Sequence, residues 1–232
     1  MKRLFVSMIL LLAVFFPSLS SPAVDPSGEK TLKASIQAFS AIMTSPGTGI
    51  PPILLQAASG IIIIPDMFKA SFLMGVRYGK GVLMVKYKDG RWSNPVIITI
   101  AGGSFGLQMG IQSTDLILVF TRSQALDMRS KGNVLLGADV SIVAGSLNFK
   151  LDENDEVSQK GEVYSFSKAV GLNAGFALQG AYIRMDDEAT AAVYGKSRLT
   201  AYDVLWGRAV MVTPEVLRFK ENFNRLTDKT SY

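Results

Sequence analysis

The sequence predicts an α+β fold: a mostly antiparallel, strongly curved sheet, barrel- or sandwich-like, with helices from the N- and C-terminal segments packed on it. Two observations support this prediction. The long amphipathic periodicities lie towards the two ends of the chain, whereas short β-branched segments fill the middle. These segments follow one another too closely for crossover helices, so neighbouring strands should pair antiparallel.

The first predicted helix covers residues 29–44, with Ser27 as a candidate N-cap and Glu29 in the first turn. Its apolar side chains recur at spacings of three and four, which is typical of an amphipathic helix. They are Leu32, Ile36, Phe39, Ile42 and Met43. After a breaker-rich loop, Pro51 and Pro52 predict the start of a short second helix that runs through Ala58.

The central region predicts the sheet. The β-branched run 61–64, stopped by Pro65, is typical of a buried strand. Further β-like segments follow in chain order: 72–78, 82–87, 96–101, 105–112, 116–121, 134–144, 161–168 and 172–185. Asp89 and Gly90 form a strong hairpin signal between two of them. Residues 122–131 interrupt the series and predict a short surface helix.

Two more helices are predicted near the C-terminus. Asp186, Asp187 and Glu188 form the acidic start of a helix through Val193. The triplet 213–215, Thr-Pro-Glu, caps a last helix that extends to about residue 227. Residues 24–232 are therefore expected to form one domain.

The first 23 residues resemble a secretory signal peptide. Lys2 and Arg3 precede an apolar run from Leu4 to Phe16, and small residues follow it. As a helix this run would be about 20 Å long, shorter than the roughly 30 Å hydrocarbon core of a bilayer. Cleavage after Ser20 and cleavage after Ala23 both fit, and an uncleaved anchor stays an alternative. We expect export to a bacterial periplasm or cell envelope.

Composition narrows the function classes. The chain has no cysteine, which excludes disulfides, thiolate chemistry and a lipidated cysteine. Cleavage would remove Lys2 and Arg3 and no acid, so the net charge would fall from +5 to +3. This mild excess permits attraction to anionic lipid, but it does not support nucleic-acid binding. The acidic loop 152–156 lacks the glycine and the last acid of a calcium loop, so neither metal nor cofactor is expected.

A G-x-S-x-G string from Gly102 to Gly106 could indicate a serine hydrolase. The chain contains no histidine, and strand-like sequence follows Ser104 where a nucleophile elbow requires a helix. Asp115 and Asp139 could be imagined as a general acid and base. Turn formation and strand-end hydrogen bonds explain both of them better. We therefore expect no enzyme.

The chain resembles the SYLF domain family, also described as the Ysc84-type actin-binding or lipid-binding domain, from about Lys30 to the C-terminus. The matching elements, in chain order, are 60–65 (GIIIIP), 78–83 (YGKGVL), 92–95 (WSNP), 102–110 (GGSFGLQMG), Thr114-Asp115, 136–139 (LGAD), Ala144-Gly145, 164–168 (YSFSK), 171–175 (GLNAG) and Tyr194-Gly195. No single element is specific, but their number and order are.

The resemblance implies a non-enzymatic lipid-binding domain whose ligand is an anionic phospholipid, such as a phosphoinositide, or a membrane surface. A protein partner is also compatible, as in a structural or interaction module of envelope maintenance. Actin is not expected as the partner of an exported bacterial protein. A lipid site needs apolar surface and a few cations. The candidate cations are Lys30 and Lys33 on the first helix and Lys69, Arg77 and Lys80 around a glycine-rich hairpin.

Overall fold

The computed structural model describes residues 28–45, 49–72, 74–105, 110–122, 133–136, 142–144, 163–167, 180–207 and 210–228. Several predicted features lie outside the described residues. These are the signal peptide at 1–23, the candidate cap Ser27, the surface helix beyond Arg122, Asp139 and the acidic loop 152–156.

Within the described residues, eight strands form one sheet. They are β1 (Gly60–Phe72), β2 (Met74–Val85), β3 (Val96–Phe105), β4 (Gly110–Phe120), β5 (Asn133–Leu136), β6 (Ile142–Ala144), β7 (Val163–Ser167) and β8 (Ala181–Met185). Their order is β5-β8-β3-β2-β1-β4-β7-β6, and every neighbouring pair is antiparallel except β6 and β7. The α+β class and the mostly antiparallel pairing are confirmed. Among the described strands no pairing joins β5 to β6, so this sheet is open rather than closed on itself.

Strand β1 does not stop at Pro65, and that prediction was wrong. The strand continues to Phe72, and its pairing with both β2 and β4 has an irregularity at this point. Asp66 takes a φ of 48°, and its N–H donates to Asp115 Oδ1 over 3.1 Å. A bulge of this kind accommodates a proline, which lacks a ladder donor, without ending the strand.

The segment boundaries around the hairpins also differ from the prediction. The predicted segments 72–78 and 82–87 largely form one strand, β2, in which Gly79 and Gly81 permit close packing against β1. The predicted segment 105–112 was wrong as a single strand, because Phe105 ends β3 and Gly110 begins β4. The segment 134–144 is divided between β5 and β6, while 161–168 contains β7 and 172–185 ends in β8.

Five helices are described: α1 (Gly28–Met43), α2 (Pro52–Ala57), α3 (Asp187–Tyr194), α4 (Ala201–Leu205) and α5 (Pro214–Asp228). All except α4 were predicted. Asp186 caps α3 by accepting from the N–H of Ala189, and Thr200 forms a capping box with Asp203 at α4. None of the helices in the described part of the chain combines the length and apolar character needed to cross a membrane.

An aromatic cluster joins the two ends of the chain. Phe39 of α1 stacks on Phe223 of α5 with ring centroids 4.7 Å apart, and Trp92 meets Phe223 edge-on at 5.2 Å. Both phenylalanines are fully buried. The strand ends near Ile61, Val82 and Ile97 are buried as well, so the helices and this end of the sheet share one hydrophobic core.

Candidate functional site

The other end of the sheet exposes an apolar surface. Phe68, Tyr78, Ala101 and Tyr182 are direct cross-strand neighbours on β1, β2, β3 and β8. Directly opposed residues project to the same face of a sheet, and Val76 shares it because it lies two residues from Tyr78. We call Phe68, Val76, Tyr78 and Tyr182 the exposed sheet face. Their exposed fractions are 41%, 63%, 40% and 40%.

Basic side chains adjoin the exposed sheet face in the next cross-strand row. Arg184 is exposed and lies two residues from Tyr182, and its neighbour Thr99 pairs with Lys80. Lys80 is not a free cation, because its Nζ lies 2.7 Å from Asp186 Oδ2 and both side chains are mostly buried. Its charge is therefore largely balanced within the protein, and Arg184 is the more available cation of the two.

The remaining predicted cations form two separate pairs. Lys30 and Lys33 are both exposed on α1. Lys69 and Arg77 lie directly opposite each other on β1 and β2, where Lys69 is partly buried and Arg77 is 3% exposed. Arg77 therefore lies on the buried face of β2, and a role of the five cations in lipid binding stays a prediction.

An open groove of about 1310 Å³ lies at the opposite end of the sheet. Tyr78 of the exposed sheet face and Lys86 of the groove are eight residues apart in the sequence. Eight residues of extended chain span about 26 Å, and this length separates the two surfaces. Residues from α2, the β2–β3 turn and α5 line the groove. They include Lys86, Tyr87, Lys88, Asp89, Arg91, Trp92, Trp206, Val212, Lys220 and Asp228. None of the five predicted cations is among the lining residues.

Two lysines of the groove are held in place by hydrogen bonds. Lys86 Nζ donates to the carbonyl oxygens of Leu55 and Gln56 at 2.9 and 3.1 Å and lies 5.7 Å from the centre of the Trp92 ring. Lys220 Nζ donates to Asn94 Oδ1 at 3.0 Å. Burial lowers the pKa of both lysines, and repulsion by Arg91 adds to the effect at Lys220.

The groove is basic and aromatic overall. Its four cations exceed its two acids, and Asp89 is bound to Arg91 by a 2.7 Å ion pair. Hydrogen bonds from Arg91 lower the pKa of Asp89, and this keeps the carboxylate ionised. Tyr87 donates its hydroxyl to the carbonyl of Leu205 at 2.6 Å. Such a lining suits an acidic ligand with apolar parts.

Sequence reasoning missed both surfaces, although local signals for them existed. Residues 86–92 alternate cations and aromatics around the predicted hairpin, but Lys220 and Asn224 complete the groove from the far end of the chain. For the exposed sheet face, the signal was the alternation of Val76 and Tyr78 with glycine and arginine. Periodicity alone does not state which of the two faces of such a strand is buried.

The hydrolase alternative receives no support from the backbone. Ser104 lies within β3 rather than at a strand-to-helix turn, so the context of a nucleophile elbow is missing. Asp115 accepts the N–H of Asp66, in keeping with the predicted backbone role. The described residues contain no group of three or more acids that could hold a metal ion.

Comparison with known proteins identifies the family. Residues 101–226, more than half of the chain, match the family described as Ysc84, Las17-binding protein actin regulator. SH3 domain-containing YSC84-like protein 1 of Xenopus laevis is 31% identical over 181 residues, covering 78% of this chain and 53% of that protein. Its human counterpart is 32% identical over 159 residues, covering 68% and 46%. Protein YSC84 of Saccharomyces cerevisiae is 36% identical over 168 residues, covering 71% and 35%.

This chain belongs to the Ysc84 family, and the resemblance to the SYLF domain is confirmed. It spans about half or less of the length of these curated relatives. The family description is that of a binding protein, and the members of this family are adaptor-type proteins rather than enzymes.

Proposed function

We propose that this chain binds anionic phospholipid at a membrane surface and that the exposed sheet face contacts the lipid. The exposure of Phe68, Val76, Tyr78 and Tyr182 in one continuous region is the observation that carries the proposal. Contiguous exposed apolar side chains mark interaction surfaces, and tyrosine is enriched where proteins meet the boundary between lipid and water.

Charge supports lipid as the partner of this face. Arg184 is exposed beside Tyr182, and Lys30 and Lys33 add exposed positive charge on α1. Each lysine or arginine near an anionic surface contributes about 1 kcal/mol to binding. The net charge of +5, or +3 after removal of the first residues, has the required sign. Lys80 contributes less because Asp186 balances it.

The cellular location belongs to the proposal. The order of basic, apolar and small residues within 1–23 supports export, and we place the protein in the periplasm or cell envelope of a bacterium. Fractionation of cells that express the full chain tests this. Recovery in the cytosol with residues 1–23 retained would contradict it.

Two variants with the same change of charge test the lipid-binding face. Val76→Glu alters the exposed sheet face, and Met211→Glu alters a side chain that is 79% exposed next to the groove residue Val212. Losing the exposed part of Val76 costs about 1 kcal/mol of partitioning, and the added charge costs about 1 kcal/mol more. Cosedimentation with vesicles of phosphatidylglycerol and phosphatidylcholine should therefore weaken about thirtyfold for Val76→Glu.

Met211→Glu is the matched control. It should reduce vesicle binding only by the effect of charge, several-fold less than Val76→Glu does. Equal losses in the two variants would show that net charge alone governs binding, and the exposed sheet face would then have no role. Full binding by both variants would rule out this face and the electrostatic contribution together.

A protein partner is the second candidate function, and the basic aromatic groove favours it. An acidic segment with apolar side chains would complement Lys88, Trp92 and Lys220. The family description as a Las17-binding protein agrees with a protein partner. Both tryptophans of the chain, Trp92 and Trp206, line the groove and report on its occupancy. An octaglutamate peptide should change their emission in the wild type and less so in Lys88→Glu. An unchanged wild-type emission would count against the groove.

A further inference from the structure

The exposed large apolar side chains of the described residues occupy two separate regions. One region is the exposed sheet face. The others are Ile53, Tyr202, Met211, Val212 and Leu217. Of these, Val212 lines the groove, Ile53 and Met211 are sequence neighbours of lining residues, and the Tyr202 ring stacks on that of the lining residue Trp206 with centroids 5.7 Å apart. We call Ile53, Tyr202, Met211 and Val212 the groove rim. Contiguous exposed apolar side chains mark interaction surfaces, so the groove end has one of its own.

The size and chemistry of the groove indicate what kind of partner it takes. Its volume of about 1310 Å³ exceeds the roughly 300–1000 Å³ of most small-molecule sites. Lys88 in its lining is exposed, and the groove rim adds exposed apolar surface. Opposite charge selects and orients a partner, while buried apolar contacts supply most of the affinity. These features match a segment of a protein that carries both carboxylates and apolar side chains.

Strand β2 connects the two surfaces. It extends from Met74, at the end of the exposed sheet face, to Val85, which directly precedes the lining residue Lys86. It pairs with β1 on one side and with β3 on the other, and a strand paired on both sides keeps its length. The groove lining contains none of the residues of the exposed sheet face. A ligand on one surface therefore leaves the other uncovered.

Distance removes the electrostatic conflict between an anionic membrane and an acidic partner. Interactions between exposed charges are largely screened beyond about 10 Å at 0.1 M ionic strength. About 26 Å of extended chain separates Tyr78 from Lys86, more than twice this screening length. Lipid at the exposed sheet face should therefore repel an acidic segment at the groove only weakly.

We propose that the chain binds an anionic membrane at the exposed sheet face and an acidic, partly apolar protein segment at the groove at the same time, and so brings that protein to the membrane. This dual binding rests on the proposed function, because it needs both the lipid contact and the groove contact. It goes beyond them in requiring that the two partners do not compete. On a membrane, the groove is then presented at the end of the sheet that lies away from the lipid.

Recruitment of an acidic peptide to vesicles tests the dual binding. The probe is a fluorescein-labelled peptide of four Glu-Glu-Leu repeats, mixed with vesicles of phosphatidylglycerol and phosphatidylcholine. Without protein the peptide should stay in the supernatant, because peptide and vesicles are both anionic. Wild-type protein should carry it into the vesicle pellet. The Kd for the peptide, measured by fluorescence anisotropy, should agree within about twofold with and without vesicles, because the charges are screened from each other.

Variants at the two surfaces separate their contributions. Val76→Glu should lose recruitment in parallel with its about thirtyfold weaker vesicle binding, but should bind the peptide in solution as the wild type does. Lys88→Glu should bind the peptide about tenfold more weakly and lose recruitment while it still binds vesicles. Lys196→Glu is the matched control, because this exposed lysine lies outside the groove lining and the change of charge is the same. It should keep recruitment.

The outcomes distinguish the dual binding from its two components. A peptide that binds the protein in solution but displaces it from vesicles overturns simultaneous binding and leaves each single contact in place. Unchanged recruitment by Lys88→Glu, or an equal loss in Lys196→Glu, shows that the peptide does not bind at the groove and overturns the proposal as well. Absence of wild-type vesicle binding contradicts the lipid contact, and absence of peptide binding in solution contradicts the groove contact. Either result also overturns the dual binding.

Discussion

Replacing Phe223 by alanine should strongly destabilise the fold, because its ring is the contact between the two ends of the chain. Phe223 is fully buried and has ring neighbours in Phe39, Trp92 and Phe219 at centroid distances of 4.7, 5.2 and 6.2 Å. Truncating a buried phenylalanine costs about 3–5 kcal/mol, and each aromatic pair adds about 0.5–1.5 kcal/mol beyond burial. We therefore expect a loss near the upper end, about 5 kcal/mol.

Urea unfolding followed by far-UV circular dichroism measures this loss, with the slope m expected to stay unchanged. Leu217→Ala is the matched control, because Leu217 lies on the same helix with 52% of its surface exposed. It should change the free energy of unfolding by no more than about 0.5 kcal/mol. A loss below about 1 kcal/mol for Phe223→Ala would refute the packing of α5 on α1.

Two further predictions concern backbone packing and a buried phenol. A Cβ atom at Gly81 would overlap the carbonyl oxygen of Ile63, whereas one at Gly103 would meet nothing closer than 3.8 Å. Gly81→Ala should therefore sharply reduce the yield of folded protein and Gly103→Ala should not, and equal yields would contradict the close approach of β1 and β2. Tyr194 donates its hydroxyl to the carbonyl of Pro95 at 2.7 Å, and burial raises the pKa of Tyr194 above its usual 10.0. The unfolded chain releases this proton near pH 10 and the folded chain retains it, so stability should fall as the pH rises above about 10. Tyr194→Phe should flatten that fall in urea midpoints measured between pH 8 and 11, and Tyr202→Phe, at a 52% exposed position, should not.

Local patterns predicted the elements whose causes are local. The apolar spacing of 29–44, the acidic start at 186–188 and the cap at Thr213 are each recognised within a few residues, and α1, α3 and α5 follow them. Pro65 was misread for a non-local reason. Asp115, 49 residues away, accepts the N–H that follows the proline and stabilises the bulge.

The candidate site was harder to predict, because contacts between distant residues decide its charges. The sequence suggests that Lys80 is an exposed cation, but Asp186, the residue after β8, forms an ion pair with it. Sequence reasoning places arginine at the surface and valine inside, as is usual. In strand β2 the opposite is found, because Arg77 is buried and Val76 is exposed. Only the pairing of β2 with its neighbours shows which face of the strand is covered.

The contact between protein and lipid can be measured by quenching with brominated phospholipids. The two native tryptophans, Trp92 and Trp206, lie at the groove end, far from the exposed sheet face. On anionic vesicles with brominated acyl chains, Tyr78→Trp should show strong quenching of the added indole, while the wild-type emission should change little. Strong quenching of the wild type, or none in a Tyr78→Trp protein that still cosediments with the vesicles, would contradict membrane contact through the exposed sheet face.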